Sequence, residues 1–143
     1  MVGRGAGARL VTLADRRSGF LAGGRAASRT KADATSAQVA ALAGQLCKVI
    51  TVDRGKGFAG HAEVAAALGA HVYFALPHHP WQRGANENAN GLVRECFPKG
   101  TDFARVGDNE VAAVYDALSC RPCKRLGFRT PLEVRCSEVL HLL

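Results

Sequence analysis

Lys48-Val-Ile-Thr-Val52, closed by Asp53, is a short and mostly β-branched run, the composition of a buried central strand. A carboxylate at the carboxyl end of such a strand faces the crevice where α/β proteins place their ligands. The simpler reading of Asp53 is a cap on the sharp turn that Arg54-Gly55 makes next.

Outward from that strand the pattern keeps alternating. Ala62 to Leu68 predicts a short helix stopped by Gly69, and His71 to Leu76 a strand ended by Pro77. Pro77-His-His-Pro80 is a rigid loop, and Asn86 to Phe97 a helix stopped by Pro98-Lys-Gly100. Upstream, Leu10-Val-Thr-Leu-Ala14 breaks at Asp15-Arg-Arg-Ser-Gly19, which predicts a strand with Phe20–Ala27 as its hairpin partner. Gly23-Gly24 weakens that partner. Thr30 with Asp33 forms a capping-box pattern, and Val39, Leu42, Ala43 and Leu46 recur at helical spacing after it. Downstream, Val111, Val114, Tyr115 and Leu118 mark a further helix, and Thr130-Pro-Leu-Glu133 starts the last one. The order predicts an α/β domain with helices packed on a mixed sheet. Residues 1–9, rich in glycine and arginine, read as a flexible turn or terminus.

The chain of 143 residues carries a net charge of +7 and a pI near 9.6, which favours a polyanionic partner such as nucleic acid. It shows no secretory signal and no apolar run of about 18 residues, so its five cysteines are expected as reduced thiols in a cytoplasmic protein. Cys120-Arg-Pro-Cys123 has the spacing of half a zinc site, but a structural zinc needs four ligands and no second pair follows.

Glu87 falls in the first turn of the helix from Asn86. Asn90 and Arg94 share its face, while Leu92, Val93 and Cys96 point the other way. A solvated helix face is the simpler explanation. Its setting, Pro80-Trp-Gln-Arg-Gly-Ala-Asn-Glu-Asn-Ala-Asn-Gly91, is nevertheless poor core material and suits contact with bases and phosphates.

TVDRGKGFAGH, then VYFALPHHPWQRGANENANGLVRECFPKGTDF, and later RPCKRLGFRTPLE together resemble the insertion-sequence transposases of the IS-thirty family. The resemblance runs from about Val11 to Glu133. It implies a ribonuclease-H-like, retroviral-integrase-like core with an Asp-Asp-Glu triad, in which Asp53 is the second acid and Glu87 the third. The 33 residues between them match the separation used by such cores. It also implies two Mg²⁺ or Mn²⁺ ions held by Asp53 and Glu87, DNA cleavage at transposon ends, and strand transfer into target DNA by a homo-oligomer. The DNA-binding residues expected are Trp81, Gln82, Arg83, Asn86, Asn88, Asn90, Arg94, Lys99, Arg121 and Lys124. His78 and His79 are expected as loop or backbone-contacting residues rather than ligands.

The same resemblance places the family's first catalytic Asp just before Met1, on a first strand absent from this chain. It provides no helix-turn-helix domain, so residues 1–143 would form a partial core. Asp15, the one acid upstream of Asp33, matches a non-catalytic position, and Ser119 and Cys123 depart from the usual residues around the Arg-Pro motif. Two other functions fit the residues. One is a catalytically inactive, basic DNA-binding remnant using Arg83, Arg94, Lys99, Arg121, Lys124, Arg125 and Arg129. The other is a ribonuclease-like hydrolase on the same fold, separable by cleavage of RNA–DNA hybrids.

Overall fold

The computed structural model describes residues 7–28, 30–45, 47–52, 60–74 and 84–142. β1 (Arg9–Ala14) and β2 (Leu21–Ala26) form an antiparallel hairpin in which Arg9 faces Ala26 and Ala14 faces Leu21. The turn between them is closed by Asp15, whose N–H donates to Phe20 O at 2.9 Å and whose carbonyl accepts from Gly19 at 2.8 Å. α1 (Lys31–Leu42) starts at Thr30, whose Oγ1 accepts the Asp33 N–H at 3.3 Å. The expected reciprocal bond runs through a third residue: the Thr30 N–H donates to Ser28 Oγ, which in turn donates to the Asp33 carboxylate. The helix ends at Leu42, short of Leu46, which lies outside the described residues.

β3 (Val49–Val52) and β4 (His71–Phe74) are parallel, with Ile50 opposite Val72, and α2 (His61–Leu68) makes the crossover. Gly69 ends α2 in the left-handed conformation, φ 61°. α3 (Gly84–Cys96), α4 (Asp108–Ser119), a 3-10 turn (Lys124–Leu126) and α5 (Pro131–Leu142) complete the chain. The cap foreseen for α5 is formed in both directions: Thr130 N donates to Glu133 Oε2 at 2.7 Å, and Glu133 N to Thr130 Oγ1 at 3.1 Å.

Alternation along the hairpin divides the core in two. Leu10 and Leu21 face α3 and α4, packing with Ala89, Val93, Phe97, Phe103, Val111 and Tyr115. Ala22 faces the other way, joining Leu42 of α1, Val64 of α2 and Ile50 of β3, with Leu13 and Val72 packed beside them. That second cluster holds the two strand pairs together, although they do not hydrogen-bond to each other. Among the described residues they are two two-stranded sheets rather than the single mixed sheet expected.

β3 is also less covered than a central strand would be. Ile50 is 7% exposed but Val49 is 55% exposed, because α3 and α4 pack on β1 and β2 and leave the outer face of β3–β4 open among the described residues. The glycine that weakened β2 on paper has a packing role. A Cβ on Gly23 would stand 2.5 Å from Tyr115 Cε2 and 2.1 Å from Val11 O, so only glycine admits the Tyr115 ring. The Tyr115 hydroxyl donates to Val11 O at 3.2 Å and pairs with Thr12 Oγ1 at 3.0 Å, fastening α4 to β1.

Candidate active site

β3 makes its last pairing at its carboxyl end, Val52 opposite Phe74. Asp53 follows Val52 in sequence and lies, with Trp81, Gln82, Arg83 and the two loop histidines, outside the described residues. Glu87 is described: it sits in the first turn of α3 and is exposed, with no hydrogen bond or ion pair to another described residue. What fixes it there is the opposite side of the helix. Ala89 and Val93 are 3% and 0% exposed and, with Phe97 one turn on, key α3 into the core beside Leu10. The buried side therefore runs 89–93–97, and Cys96, expected on it, is exposed. The reason is angular: Cys96 lies three residues beyond Val93, on the flank that turns away from β1.

Asn86 and Asn90 occupy the border between the two sides, one turn apart. Each is half-buried, and each has a fully buried amide oxygen without a hydrogen-bond partner. A buried polar atom left unpaired costs about 1–3 kcal/mol, so two on one helix are a local cost to the fold. Asn88 is exposed. Sequence spacing alone grouped Glu87 with Asn90 and Arg94; the burial of Asn86 depended on how α3 rolls onto β1, which no local pattern encodes.

The basic residues expected to touch DNA divide along the same helix. Arg94 is half-buried and about 10 Å beyond Glu87 at 1.5 Å per residue. Lys99 is exposed past the helix end, and Lys124 is exposed in the 3-10 turn. Arg121 lies 3.6 Å from Glu95, an ion pair with both side chains more than 60% exposed, which leaves most of its charge available. Ser119, a departure from the resembled family, is buried and accepts the first N–H of β2, Leu21 N, at 3.2 Å.

Asp15 is placed elsewhere. Its Oδ2 is 2.9 Å from Arg135 Nη1, and its Oδ1 accepts the Arg17 N–H at 2.9 Å. Burial pushes this carboxyl up, but the Arg17 and Ser18 hydrogen bonds and the Arg135 guanidinium outweigh that and hold it below the usual range. Asp15 and Arg135 also act electrostatically on Cys47, at the start of β3. The turn that carries Asp15 is flanked by Leu13 and Phe20, which pack against the same buried cluster as Cys47, two residues before β3. Among the described residues, no three His, Cys, Asp or Glu side chains gather as a metal site.

No family model matches the chain. It is 47% identical over 93 residues to the transposase for insertion sequence element IS1086 of Cupriavidus metallidurans, covering 65% of this chain and 27% of that one. It is 49% identical over 88 residues to the transposase for IS4351 of Bacteroides fragilis, covering 62% and 27%. With transposase InsI of IS30A from Escherichia coli it shares 39% identity over 128 residues, covering 87% and 33%. The chain spans a third or less of the length of these relatives. Among solved structures, it superposes on the catalytic core domain of BIV integrase with a TM-score of 0.72 at 15% identity, covering 94% of this chain and 90% of that one. A simian T-cell lymphotropic virus intasome matches at a TM-score of 0.63 and 17% identity, over 94% and 57%. At such identities the likeness is one of fold, and the fold is the integrase catalytic core. No helix among the described residues is long and apolar enough to cross a membrane.

Proposed function

We propose that this chain, homologous to insertion-sequence transposases over most of its length and folded as an integrase core, provides the greater part of a metal-dependent DNA cleavage and strand-transfer site. The observation that carries the reading is Glu87. It is a bare carboxylate on a helix turn anchored from behind by Ala89 and Val93, in a chain whose β3 is followed directly by Asp53.

Asp53 and Glu87 would hold the divalent ions. Carboxylate oxygens are the hard donors that Mg²⁺ or Mn²⁺ prefers, and Glu87 is exposed with no other partner among the described residues. When bound, a pair of such ions activates the attacking oxygen and stabilises the leaving one. Asn86 and Asn90, both half-buried, would turn their amide NH2 groups to the backbone of the DNA end, and Asn88 would meet it from the exposed side. Arg94, Lys99, Arg121 and Lys124 continue the phosphate track along α3 and past its end. Trp81, Gln82 and Arg83, immediately upstream, supply a stacking face, an amide and a further cation. The chemistry is hydrolysis of a phosphodiester at the transposon end. The freed 3′-hydroxyl then attacks a target phosphodiester, one ester bond forming as another breaks.

A second reading, DNA binding without cleavage by this chain alone, is favoured by one observation. Asp15, the one acid upstream of Asp33, is tied to Arg135 at 2.9 Å. A strand-transfer assay with Mg²⁺ or Mn²⁺ separates the two. The transfer reading expects product from the wild type and none above background from Asp53→Asn or Glu87→Gln, with DNA binding retained. Product undiminished by both substitutions would refute it. Binding with no product from the wild type favours the second reading.

A further inference from the structure

An open cavity of about 580 Å³ is lined by Arg17, Arg125 and Arg129, with Leu126, Val134 and Ser137. Among the described residues three guanidinium-bearing side chains line it and no carboxylate does. Of the described acids nearby, Asp15 faces Arg135 at 2.9 Å, and Glu133 is held in the cap of α5, although its charge is felt by Arg129. A concavity lined by several arginines favours an anion.

The arginines are held in place rather than loose. Arg125 Nη1 donates to Arg17 O at 3.0 Å and Arg129 Nε to Leu126 O at 3.4 Å, so each spends one of its five donors on the backbone and keeps others to offer. The loop that carries them is knotted by its own main chain. Cys123 N donates to Arg129 O at 3.0 Å, and Cys123 O accepts from Leu126 at 2.9 Å and from Phe128 at 3.0 Å.

That loop also displays Phe128, 71% exposed, between two of the lining residues. It is the one described non-glycine residue with positive φ, 63°, directly after Gly127 at 65°. An aromatic ring held out in water on a backbone that disfavours it, among arginines, is the pairing used by surfaces that bind nucleic acid. Arg17 lies in the β1–β2 turn between Leu13 and Phe20, which pack against the same buried cluster as Cys47, two residues before β3.

We propose that this cavity is a second DNA-binding site. Arg17, Arg125 and Arg129 hold phosphodiester oxygens of the duplex flanking the reacting phosphate, and Phe128 packs on the sugars or bases there. The site rests on the reading of the chain as a DNA-transferring core, and it adds a flanking contact that positions the duplex.

The test is fluorescence anisotropy of a labelled duplex titrated with the 143-residue chain between about 50 and 200 mM salt. Replacing Arg17, Arg125 and Arg129 together by glutamine should flatten the slope of log K against log salt by about 2.7, at about 0.9 per lost contact. Phe128→Gly relieves the backbone and should weaken binding about fivefold or more with the slope unchanged. Circular dichroism checks folding; if the triple variant unfolds, Arg129→Gln alone should lower the slope by about 0.9. A folded arginine variant with the wild-type slope overturns the proposal, even where inorganic phosphate alone stabilises the wild type against heat. Wild-type affinity in Phe128→Gly overturns it too. Asp53→Asn and Glu87→Gln leave this slope in place, so loss of strand transfer and loss of the second site are read separately.

Discussion

Tyr115→Phe removes one oxygen and with it the partner of both Val11 O and the Thr12 hydroxyl. In the native protein the hydroxyl, on a side chain 3% exposed, donates to Val11 O and pairs with Thr12 Oγ1, itself on a residue 7% exposed. The phenylalanine ring fills the same space against Gly23, so packing is kept and the loss is polar. Two bonds at a net value of about 1 kcal/mol each, with Thr12 Oγ1 left buried and unpaired, give an expected cost of about 2–3 kcal/mol. Chemical denaturation measures it directly. At about 2.1 cal/mol/K per residue of unfolding entropy, the melting point should fall by about 7–10 °C. Thr12→Val costs less alone, because Tyr115 keeps its bond to Val11 O. The double variant Thr12→Val/Tyr115→Phe should then be less destabilised than the two single losses added, since no hydroxyl is left stranded. A single Tyr115→Phe within about 0.5 kcal/mol of wild type would refute the claim that this pair fastens α4 to β1.

Gly23→Ala sets a methyl 2.5 Å from the Tyr115 ring and should destabilise by about 3 kcal/mol or more, seen as a lower denaturation midpoint. Asp15, held below its ordinary carboxylate range, contributes stability that is present above about pH 3.8 and lost as pH falls through its folded-state value. Asp15→Asn should cost about 1.5–3 kcal/mol at neutral pH and remove that part of the acid loss, measured by denaturation at pH 7 and pH 3. Thr130→Ala should cost about 1 kcal/mol and let the Glu133 carboxyl return part of the way toward its usual range, followed by NMR titration. The Glu133 shift comes chiefly from the Thr130 backbone N–H, which alanine keeps, and only then from the hydroxyl, so a complete return would contradict that order of causes.

Periodicity and punctuation made the element order legible. Gly69, Pro98-Lys-Gly100 and the Thr130–Glu133 box each mark an end that the structure has, because such signals act within a turn or two of their own residue. What local reading missed was set by partners distant in sequence. The half-open face of β3 depends on where α3 and α4 settle, and the closure of the α1 cap depends on Ser28, two residues before the cap residue Thr30. Gly23 reads as a weak strand residue until Tyr115, more than ninety positions away, is seen against it. Glu87 was legible as one exposed acid on a helix face, and its surroundings made it a candidate. The buried amides of Asn86 and Asn90 required the roll of the helix. Arg17 could not be grouped with Arg125 and Arg129 from sequence, since the turn and the loop meet only in the folded chain.

The central claim, that Asp53 and Glu87 share a divalent ion at a DNA-transferring site, is tested most directly by Mn²⁺ binding to the chain followed by electron paramagnetic resonance. The account predicts bound Mn²⁺ in the wild type and affinity at least about tenfold weaker in both Asp53→Asn and Glu87→Gln, a loss of about 1.4 kcal/mol or more for each ligand removed. Equal Mn²⁺ affinity in the wild type and in both variants, all of them folded, would contradict it.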